Sequence, residues 1–304
     1  MAEQPLNARK LSRVVRGHPT MDGGAGVRLT RVIGLHELDH LDPFLLLDEF
    51  QAESKHDSIT GFPSHPHRGF ETVTYMLLGS MEQRDQHGQT SVLESGGVQW
   101  MTAGRGIVHA ELPRRELGQM WGFQLWVNLR ASDKMCEPRY QNISKAEVPE
   151  LELPNASGRV RVIAGAFRGL DGAVRGIAVE PLYLDVALAP HARVEIAILE
   201  THNACVYMFE GSARVLADDD SLSNPLRKHD LGVLGSGTSL RILALGQGAR
   251  CLVLAAHPLG ETIERYGPFV MNTREELQTA VRDFRDGPHV RVPLSTEDRR
   301  SNQA

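Results

Sequence analysis

The 304-residue sequence has no basic excess: 33 lysines and arginines stand against 38 aspartates and glutamates, a net charge of −5. Such a chain has no positive field to gather nucleic acid, so direct nucleic-acid binding is not expected. Cysteine is scarce. Cys136, Cys205 and Cys251 are odd in number, widely spaced and never arranged as C-x-x-C. That pattern argues against a disulfide framework and fits free thiols in a reducing, cytoplasmic setting. No apolar run is long enough to cross a bilayer, so no membrane partner is expected. The segment Met1 to Gly17 carries arginine and lysine but no apolar core, which is unlike a secretory signal. What remains is an ordinary globular composition, 41% apolar and 23% charged, with room for two domains.

Against that plain background two short histidine segments stand out. One reads His65-Pro66-His67-Arg68-Gly69-Phe70-Glu71. The other runs from Thr102 through Gly104 and Gly106 to His109-Ala110-Glu111. Each offers two ligand types at i and i+2, and on extended backbone that spacing points both side chains to one side. The glycines at 96, 97, 104 and 106 permit the tight bends that would fold one segment back on the other. Face to face, His65, His67, His109 and Glu111 would give three imidazoles and one carboxylate around one ion. That set suits a first-row metal kept open for chemistry. A closed zinc site would more often use thiolates, and none is near. The alternative is that these are histidines scattered over a half-exposed sheet.

The rest of the chain reads as two β-rich halves. Short runs of β-branched and aromatic residues, such as Thr72–Leu77 and Gly122–Val127, are broken by glycine or proline, as in a sandwich or barrel. Val160–Ile163, Leu182–Val186, Val194–Ile196, Val206–Phe209, Ala213–Leu216 and Leu252–Leu254 repeat the style. Asp218 to Arg227 reads as a polar hairpin loop. Between the halves, 137–154 is charged and proline-containing and is expected to be a linker. It separates a metal-binding domain over 1–136 from a metal-free domain over 155–304. One helix is expected near the end. Thr273 and Glu276 form a capping box, and Leu277, Ala280, Val281 and Phe284 make an apolar stripe. Gly287 and Pro288 end it, and the tail beyond Pro293 is expected to fray.

The string HPHRGFETVTYML (65–77) followed by VQWMTAGRGIVHAE (98–111) resembles the pirin family of the cupin superfamily. So do Asp42-Pro43-Phe44-Leu45-Leu46-Leu47-Asp48-Glu49-Phe50 and Arg265-Tyr266-Gly267-Pro268-Phe269-Val270-Met271-Asn272-Thr273. The likeness runs from about residue 8 to 286. It implies an all-β bicupin, two antiparallel jelly-roll barrels with a short C-terminal helix. It implies iron, as Fe(II), held by His65, His67, His109 and Glu111, although other divalent first-row metals fit the same ligands. The general cupin pattern would make Glu71 a ligand. In pirins the carboxylate is the one matching Glu111, which leaves Glu71 behind the ligands, orienting an imidazole. The C-terminal half has no H-x-H or H-x-E, so a second metal site is not expected.

The resemblance implies quercetin 2,3-dioxygenase activity, the opening of a flavonol by dioxygen in an apolar barrel, with Glu111 as a possible general base. An alternative is a metal- and redox-dependent regulator that binds a protein partner, either a transcription factor or a metabolic enzyme. A third is a metal-free barrel that binds a sugar or other small molecule. Trp100, Met101, Trp121 and Trp126 fit barrel core better than pocket lining. Arg68 and Arg105, which flank ligands, fit surface pairing better than substrate steering. Asp48 and Glu49 are assigned no role.

Overall fold

The structure, a computed structural model, describes residues 7–21, 27–52, 61–114, 119–219 and 221–287. The tail beyond Pro293 and Pro288 itself lie outside the described residues. Among the described residues the chain is all-β apart from short 3-10 turns and one helix, and it forms two cupin domains from antiparallel strands.

The domain boundaries differ from those expected. One compact unit comprises Met1–Thr20, Thr30–Glu49 and Ile143–Gly260, and the other comprises Met21–Leu29, Phe50–Asn142 and Glu261–Ala304. Long-range pairing explains the difference. The early strand Leu11–Arg16 pairs with Asp230–Leu234, and the late strand Phe269–Met271 bonds back to the first histidine motif. There Val270 N donates to Arg68 O at 3.0 Å, and Arg68 N donates to Pro268 O at 3.2 Å. The segment 137–154 contains the strands Arg139–Ile143 and Glu150–Glu152. The first of these presents Tyr140 and Asn142 to a cavity instead of a packed core, so no apolar alternation marks it.

In the unit containing Ile143–Gly260 the strands are longer than the sequence suggested. Val206–Phe209 and Ala213–Leu216 belong to one strand, Asn203–Leu216, that pairs with Ser239–Ala256. Gly211 marks a register shift within it. Its φ is +66°, and a Cβ there would lie 2.2 Å from Gly248 O, so only glycine fits. Alternate residues of these strands and of Leu182–Leu188, including Val206, Met208, Leu184, Val186, Ile242 and Val253, fill a continuous apolar core.

The unit that carries the histidine motifs has two main sheets among its described residues. One has the strand order Phe62–His67, Ile107–Pro113, Ser80–Asp85, Thr90–Glu94. The other includes the run Arg139–Ile143, Val98–Thr102, Phe70–Leu78, Met120–Asn128. Phe62–His67 lies at a sheet edge, where Pro66 can be accommodated without a missing ladder bond. Helix α1, Arg274–Asp286, carries the expected capping box: Glu276 N donates to Thr273 Oγ1 and Thr273 N to Glu276 Oε2. Its stripe of Leu277, Ala280, Val281 and Phe284 packs on Phe269 and Met271.

Candidate metal centre

Strand register brings the two histidine motifs together. Phe62–His67 and Ile107–Pro113 run antiparallel with His65 opposite His109 and His67 opposite Ile107. The register then slips: Glu111 lies opposite Phe62, so the first strand carries one extra residue between His65 and Phe62. On its other side Ile107–Pro113 pairs regularly, with His109 opposite Asp85 and Glu111 opposite Gln83. Gln83, Asp85, His109 and Glu111 therefore share one face, since successive side chains alternate.

His65, His67 and His109 each offer a ring nitrogen, and these atoms all lie within 4.8 Å of one another. Nε2 of His65 and Nε2 of His109 are 3.2 Å apart. Two nitrogens bound to one ion at about 2.1 Å would be separated by about 3.0 to 3.4 Å for octahedral to tetrahedral angles, so the pair fits a shared cation. Nδ1 of His65 is 2.8 Å from Pro63 O. Donation to that carbonyl fixes the tautomer and leaves the Nε2 lone pair facing His109.

The surroundings keep the rings neutral. Burial lowers the pKa of His65, and burial together with the neighbouring imidazoles lowers those of His67 and His109 well below the usual histidine range. Both ring nitrogens of His67 and Nδ1 of His109 are buried with no hydrogen-bond partner. Orphaned polar atoms of this kind cost free energy unless something binds them. Neutral, converging, unpartnered imidazoles are the donor set a divalent metal requires. Among the described residues no other group of histidine, cysteine or acidic side chains clusters in this way.

Glu111 lies outside the three-histidine cluster. Its Oε1 accepts a hydrogen bond from Gln83 Nε2 at 3.1 Å, and Thr74 Oγ1 lies 3.5 Å away while donating to Gln124 Oε1 at 2.6 Å. Burial pushes the carboxyl up to about 7. Glu71, expected to orient an imidazole, accepts at Oε1 from Thr102 Oγ1 at 2.6 Å, and the Pro63 carbonyl faces Nδ1 of His65. Burial raises the Glu71 pKa too.

The surrounding cavity is more polar than an apolar barrel would be. Thr74, Gln83, Asp85 and Gln124 lie on the inner faces near the histidines, while Phe50, Met76, Met81, Leu93 and Met120 form an apolar cluster elsewhere in the unit. A cavity of about 750 Å³ opens beside the cluster, lined by His67, Arg68, Asp85, Tyr140, Phe269 and Phe284 among others. Trp126 is half-buried with its ring 5.4 Å from the His67 ring, and the Arg265 guanidinium lies over the Trp126 ring, 4.8 Å from its centroid. It packs against His67, while Trp100 and Met101 are core. Arg105 pairs with Glu137 at the surface, while Arg68 pairs with Asp283 in the cavity wall, each at 2.8 Å. Sequence reasoning missed Gln83, Asp85 and Tyr140. The strand Ser80–Asp85 buries alternate residues, but its sequence is nearly all polar and carries no apolar rhythm.

Two antiparallel barrels, one of them carrying converging imidazoles, define a cupin protein with a single candidate metal centre among its described residues. The pirin family model matches residues 26–127, and the model described as the pirin C-terminal cupin domain matches residues 183–290. The chain belongs to the pirin family. It is 46% identical over 284 residues to a pirin-like protein of Caulobacter vibrioides, covering 93% of this chain and 99% of that one. It is 42% identical over 266 residues to human pirin, covering 86% and 88%. Among solved structures, a quercetin 2,3-dioxygenase from Acinetobacter baumannii superimposes with a TM-score of 0.84 at 32% identity, covering 92% of this chain and 98% of that one.

Proposed function

We propose that this protein is an iron-dependent dioxygenase acting on flavonols, of the quercetin 2,3-dioxygenase type. The observation that carries the reading is the convergence of three buried neutral imidazoles beside a cavity of about 750 Å³. That volume lies within the range of small-molecule sites. The likeness to the Acinetobacter baumannii quercetin 2,3-dioxygenase supports the choice of substrate class. When bound, the metal would supply a Lewis acid that stabilises the oxyanion of a deprotonated substrate hydroxyl.

The protein's own contribution lies in positioning and proton handling. His65, His67 and His109 would hold the ion, and the Pro63 carbonyl fixes one of these rings. Glu111 would be the fourth ligand. A carboxyl near 7 can give up its proton on becoming a ligand, or take one from a substrate hydroxyl near neutral pH. Cys136, Cys205 and Cys251 are all unpaired, which supports a reducing compartment such as the cytoplasm. No helix among the described residues is long and apolar enough to cross a membrane.

The test is turnover of quercetin by iron-loaded protein with and without dioxygen. Oxygen-dependent loss of flavonol absorbance, accompanied by carbon monoxide and abolished in His67→Ala, is the expected result. Full iron occupancy with no oxygen-dependent loss would reject the proposal.

A further inference from the structure

Two cavities meet beside the histidines. The large one touches His67, and a small one of about 60 Å³ touches His109 and Gln83. Four residues line both: Asp85, Gln89, Tyr140 and Asn142. The shared wall is therefore entirely polar. Its donors are already partly committed. Tyr140 Oη donates to Asp85 Oδ2 at 3.3 Å, while Asp85 Oδ1 accepts from His87 N and Gln89 N at 2.9 and 3.0 Å. Asp85 is only 3% exposed, so this bonding keeps it anchored in the wall. Asn142 Oδ1 accepts from Gln99 Nε2 at 2.8 Å.

A phenol whose proton points at a carboxylate keeps its oxygen lone pairs for something else. We propose that Tyr140 is a substrate-binding residue, whose Oη accepts a hydrogen bond from a ring hydroxyl of a polyhydroxylated aromatic ligand seated in the large cavity. Phe269 and Phe284 line the same cavity and supply apolar surface for such a ring. Burial and the Asp85 carboxylate both raise the Tyr140 pKa, so the phenol stays neutral and its donor stays fixed. The identity of the ligand rests on the dioxygenase reading; the acceptor role rests on the wall itself.

The experiment is anaerobic titration of iron(II)-loaded protein with quercetin and with a series of its mono-O-methyl ethers that keep the 3-hydroxyl free. Wild type should bind at least one ether about three- to tenfold more weakly than quercetin, the range expected for one net hydrogen bond. In Tyr140→Phe that ether and quercetin should bind equally, with iron content unchanged. Equal binding of quercetin and every ether by wild type overturns the assignment, and this comparison needs no variant. Wild-type discrimination that persists in Tyr140→Phe also overturns it. Failure of wild type to bind quercetin overturns both this assignment and the dioxygenase reading. Binding with the expected discrimination but no oxygen-dependent turnover rejects the dioxygenase reading alone.

Discussion

Lys134→Met should destabilise the protein at neutral pH, and its effect should grow as the pH rises. Lys134 is 1% exposed, and its Nζ donates to Gly69 O and Asn128 Oδ1 at 2.7 Å and to Val270 O at 3.1 Å. The ammonium thus ties the turn after His67 to the late strand Phe269–Met271. Methionine would orphan three acceptors, at roughly 1–3 kcal/mol each. Against this stands the charge burial it relieves. Burial lowers the Lys134 pKa from 10.5 to about 8, which corresponds to roughly 3 kcal/mol. The orphaned acceptors outweigh that relief, so a net loss of a few kcal/mol is expected. The pH dependence has a definite sign. Below about 8 the lysine is protonated in folded and unfolded chains alike, and the burial cost is fully present. Between about 8 and 10.5 the folded chain has released its proton while the unfolded chain keeps it, so stability rises with pH. Cys205, Cys251 and Tyr207, whose pKa values are raised by burial, contribute with the opposite sign over alkaline pH. Urea unfolding of both proteins removes that background by difference. The gap between wild type and Lys134→Met should widen by roughly 2 kcal/mol between about pH 7.5 and pH 10. A variant as stable as wild type, or a gap that does not grow, would refute the reasoning.

Further outcomes follow from single contacts. Gln83→Leu removes the donor on Glu111 Oε1; if Glu111 is a ligand, iron affinity measured by chelator competition should fall about 10- to 100-fold. Gly69→Ala should cost at least about 2 kcal/mol by urea denaturation, because φ is +85° and the new Cβ would lie 1.9 Å from Val270 O. Thr273→Ala breaks the capping box of α1 and should cost about 1 kcal/mol, with hydrogen exchange rising first at the start of that helix.

The histidine cluster was legible because metal ligands must be particular residue types, and i, i+2 spacing on a strand has one geometric meaning. Helix α1 was legible for a similar reason, since Thr273 and Glu276 signal its start within four residues. Asp85 and Tyr140 were not legible. They lie on separate strands, and each sits among polar neighbours where the two-residue apolar rhythm is silent. The unit boundaries were hidden for a different reason. Pairing of Leu11–Arg16 with Asp230–Leu234 joins segments more than two hundred residues apart, and no local propensity encodes that partner. The placement of Glu111 was half legible. Its strand and face follow from His109, but the register slip opposite Phe62 and the hydrogen bond from Gln83 arise only on folding.

The same alternation of residues explains why one unit can hold a metal while the other carries no such cluster among its described residues. In the unit containing Ile143–Gly260, inward positions repeat as Val160 and Val162, Leu184 and Val186, Val206 and Met208, and Ile242 and Ala244, all buried in one apolar cluster. A barrel packed this way has spent its interior on dispersion and hydrophobic burial, and a divalent ion placed there would lose its water without gaining ligands. In the other unit the corresponding kind of position is occupied by His65 and His67, Gln83 and Asp85, and His109 and Glu111. Those side chains leave polar atoms unpaired, at His67 and His109 and also at Gln83 Oε1. An interior so arranged gives up core stability for a place where a cation can bind. The apolar cluster of Phe50, Met76, Met81, Leu93 and Met120 supplies part of the core that the metal-binding region lacks.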